Sequence, residues 1–194
     1  MKSFEIRELI LKDAQESARV LEKSIGAMVP DIEKAAKCMA SAIKRGGKVL
    51  ACGNGGSAAD AQHLAGELVG RFLMERAPYA AVALTNDTSV MTSLANDYGY
   101  DAIFERQVLA LGSKKDVLLA ISTSGNSGNV ISAMKAAKKK EMKIIALTGC
   151  GGGKMKGTAD ILLNVDSKET PRIQETHGYI IHALCGIIEK LLNE

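Results

Sequence analysis

Lys48-Val49-Leu50-Ala51-Cys52-Gly53-Asn54-Gly55-Gly56-Ser57 runs an unbroken apolar segment straight into a glycine turn. Apolarity without alternation reads as a strand covered on both faces, as in a parallel sheet flanked by helices. The glycines let the chain leave that strand tightly and bring backbone N–H groups near a ligand, while the helix that follows aims its positive end at the same place. Further apolar runs lie at Tyr79 to Leu84, Val117 to Ile121, Lys143 to Leu147 and Ile161 to Val165, separated by helix-length stretches. The expectation is an α/β fold, a three-layer αβα sandwich on a five-stranded parallel sheet. Ahead of the first strand, helical spacing of apolar residues from Phe4 to Ile25, and again from Pro30 to about Arg45, predicts two N-terminal helices. The last helix is expected to take Thr170 as N-cap and Pro171 in its first turn, and to run to about Leu192. The whole chain, 1–194, then reads as one domain, with leading helices over 1–46 and the α/β core and C-terminal helix over 47–194.

Composition excludes several classes. Hydrophobic content of 46% with 24% charged residues is that of a globular protein and not of a disordered one. The net charge of +3 is spread along the chain, aromatics are 4% and Trp is absent, so a nucleic-acid partner is not expected. Lys138-Lys139-Lys140 reads as the solvated end of a helix. Cys38, Cys52, Cys150 and Cys185 form no C-x-x-C pair, which signals neither a zinc ribbon nor a disulfide framework. The first residues are charged where a signal peptide needs an apolar segment, and no apolar run approaches membrane-spanning length. The expected compartment is the cytoplasm.

Ligands of an open parallel sheet bind beyond the carboxyl ends of its strands, where the polar signals cluster. Ser122-Thr123-Ser124-Gly125-Asn126-Ser127-Gly128-Asn129 offers hydroxyls, glycine-permitted N–H groups and a helix N-terminus, which together make a phosphate cradle. The same residues also suit a plain N-capped polar turn. With no G-x-x-x-x-G-K-[ST] in the chain, a sugar monophosphate fits better than a nucleoside triphosphate. Gly53 to Ala58 satisfies G-x-G-x-x-A, but the acidic residue of a dinucleotide site belongs about 20 positions on, and Asp87 lies well past it. No nucleotide cofactor is expected.

One helical turn separates His63 from Glu67, so both project from one face, as metal ligands, as acid and base, or as an ordinary polar pair. Gln174, Glu175, His177 and His182 lie on the C-terminal helix, whose stripe Ala183, Leu184, Ile187 and Ile188 sets His182 in apolar surroundings. Eight residues leave Gln174 and His182 roughly 80° apart, while Glu175 and His182 align better, and spacing does not choose between them. Asn96-Asp97-Tyr98-Gly99 reads as a helix end, either a simple C-cap or an amide and carboxylate lent to sugar hydroxyls. Gly149-Cys150-Gly151-Gly152-Gly153-Lys154 reads as a structural turn.

Taken in order, Cys52 to Ser57, His63 to Glu67, Asn96-Asp97, Ile121 to Ser127, Leu147-Thr148-Gly149 and Arg172-Ile173-Gln174-Glu175 resemble the sugar isomerase (SIS) domain family over essentially the whole chain. The resemblance implies an aldose-ketose isomerase converting sedoheptulose 7-phosphate to D-glycero-D-manno-heptose 7-phosphate, an early step toward activated heptose. It implies a homotetramer with active sites between subunits. Ser122, Thr123, Ser124 and Ser127 match the family's phosphate loop, and Asn54, Gly55, Gly56, Asn96 and Asp97 match other substrate contacts. One zinc per subunit is implied at His63, Glu67, Gln174 and His182, where Gln174, which also matches a substrate contact, enters only through the resemblance. Lys168-Glu169-Thr170-Pro171 departs from the family pattern. A carbonyl shift between C2 and C1 passes a proton through an enediol, which suits Glu67, itself in reach of substrate, as base and His182 as its partner. The alternatives are non-catalytic SIS modules, either a replication-initiator-associating protein or a sugar-phosphate sensor. A sensor would carry an attached DNA-binding region, and none is visible.

Overall fold

The computed structural model describes residues 3–194. Its five strands are β1 (Val49–Cys52), β2 (Ala81–Ala83), β3 (Val117–Ser122), β4 (Lys143–Thr148) and β5 (Ile161–Asn164), each on one of the five apolar runs. All pair in parallel, in the order β2-β1-β3-β4-β5. Six α-helices, α1 (Ser3–Lys44), α2 (Gly56–Val69), α3 (Thr88–Tyr98), α4 (Glu105–Leu111), α5 (Gly128–Lys139) and α6 (Thr170–Asn193), cover the sheet. Successive strand residues point to opposite faces. Val117, Leu119 and Ile121 therefore enter the core beneath α1, α2 and α6, and Leu118 and Ala120 enter the one beneath α4 and α5. This is the expected three-layer sandwich, with the central strands β1 and β3 buried along their whole length and the edge strand β2 partly exposed.

The two leading helices expected from the sequence are one continuous helix, α1, which passes through Pro30. A proline in a helix interior removes one hydrogen bond and crowds the carbonyl four residues back, at a cost of about 3 kcal/mol. The carbonyl four residues back is that of Gly26. Val20, Ser24, Met28, Ile32, Ala35 and Met39 form a buried stripe that keeps helical register across the proline, so packing on the sheet and on α6 outweighs that local cost. The start of α6 also differs from expectation. Glu169 is its N-cap and Thr170 its first residue, with Pro171 still in the first turn, where no N–H is needed. Among the described residues, no helix is long and apolar enough to cross a membrane.

The strand order fixes where a ligand can sit. β1 lies between β2 and β3, so connections leave its two sides in opposite directions and open a crevice at the carboxyl ends of β1 and β3. Both α2 and α5 begin there.

At the other end of these strands Asp116, buried, accepts hydrogen bonds from the backbone N–H of Lys48 (2.8 Å) and Ser113 (2.8 Å), the Ser113 hydroxyl (2.9 Å) and Lys48 Nζ (2.7 Å). Burial alone would raise its pKa, but the Lys48 and Ser113 groups outweigh it and hold the carboxyl below its ordinary value. Asp116→Ala, which strands four polar groups, is expected to destabilise the chain by roughly 3 kcal/mol in chemical denaturation. Because the folded pKa is depressed, the stabilisation is full above the unfolded carboxylate pKa and fades as pH falls through the folded one. The variant should accordingly lose stability less steeply than the wild type on acidification, by the share that Asp116 contributes.

Candidate active site

The chain leaves β1 through Gly53 and Asn54 and reaches the N-cap of α2 at Gly55, whose φ of +56° suits only glycine without strain. No side chain caps α2; the N–H groups of Ser57 and Ala58 bond back to the carbonyls of Asn54 and Gly55 (3.0 Å each), which closes the glycine turn tightly onto the helix start. Gly56 lacks a Cβ for a visible reason: one built there would strike the Gln174 amide, which reaches over from α6. Asn54 is locked in a reciprocal amide pair with buried Asn129, donating from Nδ2 at 2.9 Å and accepting at 2.8 Å, and Tyr100 donates its hydroxyl to the same Asn54 Oδ1 at 3.1 Å. This pair ties the glycine turn to the start of α5.

The serine loop after β3 forms the second wall. Ser122 Oγ lies 2.9 Å from Ser127 Oγ and 3.5 Å from Ser124 Oγ, and Ser124 Oγ accepts the N–H of Asn126 at 3.2 Å. Ser127 is the N-cap of α5 but its own hydroxyl makes no capping bond; Asn129 Oδ1 accepts the N–H of Val130 (2.9 Å), and the first N–H groups of the helix's positive end lie beside three hydroxyls and Thr123. Gly125, at φ +65°, lets this loop pack backbone to backbone on Gly152, so the glycine turn after β4 supports the serine loop.

α2 and α6 bring the titratable groups together. His63 Nε2 lies 3.2 Å from Glu67 Oε1 and 3.1 Å from His182 Nε2, and the two imidazoles meet nearly at right angles, 87°. The apolar setting expected for His182 is corrected: the residue is exposed at the edge of the stripe and turned toward α2, with the ring of Phe72 beside it, 5.2 Å between centroids. The buried histidine is His177, whose Nε2 donates to the Thr148 carbonyl at 3.1 Å. Burial pushes its pKa down to about 4 against the pull of that carbonyl, so it is a neutral core residue. Glu175 turns away to Arg172 (2.6 Å), and Gln174 is the one of the two that faces the glycine turn. Asn96 and Asp97 are exposed at the end of α3 and bond each other (2.8 Å), while Tyr100, three residues on, makes the contact with Asn54. Asp87 caps α3 by accepting the N–H of Val90 and so serves the helix instead of a ribose.

Sequence reasoning missed several groups. Asn129 and Tyr100 fix Asn54, but nothing in their spacing links them to a turn 75 and 46 residues away. Asp60 stands one turn before His63 with its Oδ2 buried and, among the described residues, unpartnered. Burial pushes its carboxyl up to about 6 against the pull of His63.

The cluster suits a metal. Two facing Nε2 atoms can share a proton or a cation, and two imidazoles on one tetrahedral zinc place their nitrogens roughly 3.3 Å apart, from Zn–N distances of about 2.0–2.1 Å. His63, Glu67 and His182 each offer a ligand atom, all within 4.8 Å of one another. Two nitrogens and a carboxylate, with further positions open, are the donor set of a catalytic site.

The chain carries a serine-lined helix start after β3 and a cluster of two histidines with a carboxylate on α2 and α6, and it belongs to the SIS domain family, whose model matches residues 14–149. Within that family it stands with the phosphoheptose isomerases, and it is an isomerase. It is 53% identical to the phosphoheptose isomerase of Rhodospirillum rubrum over 87% of this chain and 89% of that one. Identity is 50% to that of Neisseria gonorrhoeae, over 97% and 98%. Among solved structures, the Neisseria gonorrhoeae enzyme superposes with a TM-score of 0.91 at 48% identity, over 95% of this chain and 99% of that one. The Francisella tularensis enzyme does so with 0.92 at 44%, over 98% and 100%.

Proposed function

We propose that the chain converts sedoheptulose 7-phosphate to D-glycero-D-manno-heptose 7-phosphate in the cytoplasm, through an enediol, on the way to activated heptose. The observation that carries this reading is the meeting of Glu67, His63 and His182, in a fold that also presents the serine loop at the end of β3. Ser122, Thr123, Ser124 and Ser127, with the open N-terminus of α5, hold the phosphate. Asn54, Gly55 and Gly56, together with Asn96, Asp97 and Gln174, bind the sugar hydroxyls. Glu67 turns Oε1 to His63 and takes the C1 proton on its other oxygen, returning it to C2. His182, across from it on α6, moves the hydroxyl proton between O2 and O1. The carboxylate and imidazole each shuttle one proton, so none is consumed. His63, Glu67, Gln174 and His182 would hold the zinc, and bound there it supplies Lewis-acid polarisation of the carbonyl and enediolate oxygens.

We read the chain as one domain over 1–194 and its working form as a homotetramer. Phe4, Ile6, Leu9, Ile10 and Leu11 stand exposed on one turn after another of α1, and Val29 and Tyr179 are exposed where α1 meets α6. Apolar surface of that extent supports burial against further copies.

The test is NMR of the purified protein incubated with sedoheptulose 7-phosphate and, separately, with fructose 6-phosphate. Aldose signals are expected in the first sample and at most slowly in the second. No conversion of either sugar, with or without added zinc, would overturn the assignment.

A further inference from the structure

Beyond the end of α2 the chain makes an irregular turn before β2, and that turn is organised by one buried carboxylate. Glu189, on α6, accepts the N–H groups of Phe72 (2.9 Å), Leu73 (2.9 Å) and Met74 (3.0 Å) and the Nε–H of Arg76 (3.0 Å). The other nitrogens of Arg76 close the end of α2, Nη2 donating to the carbonyl of Glu67 (2.7 Å) and Nη1 to those of Leu68 (2.9 Å) and Gly70 (3.0 Å). Tyr79 lies under the guanidinium, 3.9 Å from its ring centroid. The pair is almost fully buried, Arg76 at 2% and Glu189 at 1% exposure.

A buried ion pair is a weak source of stability, since the desolvation of both charges offsets their attraction and apolar residues of equal volume often serve as well. What apolar residues cannot do is fix direction, and here the fixed directions all concern the cluster. Arg76 holds the backbone carbonyl of Glu67 itself. Glu189 follows His182 by seven residues, two turns along the same face of α6. The turn it gathers carries Phe72, whose ring tilts 30° against the His182 imidazole and lies over Gly186, where a Cβ would come within 3.5 Å of it. The position of Glu67 along α2 and the orientation of His182 are both referred to one carboxylate.

We propose that Arg76 and Glu189 are positioning residues for the proton-transfer pair: their ion pair sets the height of α2 on α6 and seats Phe72 as the wall against which the His182 ring rests. This rests on reading Glu67 and His182 as that pair.

Glu189→Gln keeps the shape and one acceptor oxygen and removes the charge. The expected result is a fall in kcat of about 10- to 100-fold, the cost of a small misplacement of reacting groups. KM should stay within about threefold, because the serine loop stands on the other wall of the crevice and binding is separable from chemistry. The chain has three histidines. In a spectrum of histidine-labelled protein the His182 ring signals should shift as the Phe72 ring current moves, with those of His177 unchanged. Phe72→Leu, which leaves the ion pair in place, should move the same signals and lower kcat by about 3- to 10-fold. It carries the test if Glu189→Gln fails to fold. Wild-type kcat with unmoved His182 signals in the variant tested would overturn the proposal. A loss taken entirely in KM would also overturn it, as general loosening. Shifted His182 signals with kcat intact would instead refute the proton-transfer reading on which it rests, as would full activity in Glu67→Gln.

Discussion

Glu67→Gln is expected to lower kcat for the heptose phosphate by about 10²- to 10⁴-fold, the contribution of one positioned acid or base, while KM changes by less than about threefold. Glutamine keeps the length of the side chain and an oxygen for the contact that Glu67 Oε1 makes with His63 at 3.2 Å, so the helix and its packing are preserved. What disappears is the basicity that takes the proton. Incubation of substrate in deuterated water reports this directly, because an active base washes deuterium into the carbon positions and the variant should not. Metal analysis of the same sample separates the two duties assigned to Glu67. If bound zinc is retained while exchange stops, the loss is that of the base; if zinc is lost, activity restored by excess zinc would assign the loss to metal binding. Wild-type turnover with wild-type exchange would remove Glu67 from the mechanism. His182→Gln should be similarly impaired, since O1 and O2 must exchange a proton for each turnover.

How far these residues were legible depends on whether their partners lie nearby in sequence. Apolar runs at Val49–Cys52 and Val117–Ser122 signal buried strands because each residue of such a strand meets a core on one face or the other, and that requirement is local. His63 and Glu67 share a helical turn and so were readable as a pair. His182 was misplaced into the apolar core because a stripe on a helix says which side is buried but not where its edge falls, and the edge is set by α2 across the gap. The break expected near Pro30 failed similarly, since the local cost of proline was visible and the long buried stripe that outweighs it belongs to the fold. Asn129, Tyr100 and Glu189 act through contacts 46 to 117 residues apart, as does the ion pair that holds Arg76, and no periodicity encodes such distances. Gln174 came from the family likeness alone, and its amide over Gly56 is a contact that spacing along α6 could not select.

Gly125→Ala is expected to produce the complementary defect, raising KM for the sugar phosphate by at least about 10-fold with a smaller effect on kcat. At φ +65° an alanine costs about 1–2 kcal/mol in the left-handed region. Its methyl group would also meet the backbone carbonyl of Gly152, an obstacle that cannot rotate aside as a side chain can. The two loops have no slack to open gradually: Gly149 N–H bonds the Thr123 carbonyl (3.0 Å), Met155 N–H bonds that of Gly125 (3.0 Å), and Lys154 N–H bonds Asn126 Oδ1 (3.1 Å). Forcing them apart carries Thr123 and Ser124 away from the open end of α5, where hydroxyls and N–H groups must converge on one phosphate. The cluster on α2 and α6 takes no part in that packing, so the chemistry on bound substrate should survive and saturating substrate should recover most of the rate. Gly157→Ala is the control, since nothing lies within 4 Å of a Cβ there, and it should match the wild type. An unchanged KM in Gly125→Ala would separate the serine loop from phosphate binding, whereas loss in kcat alone would mean that the loop shapes the proton-transfer geometry instead of the anion site.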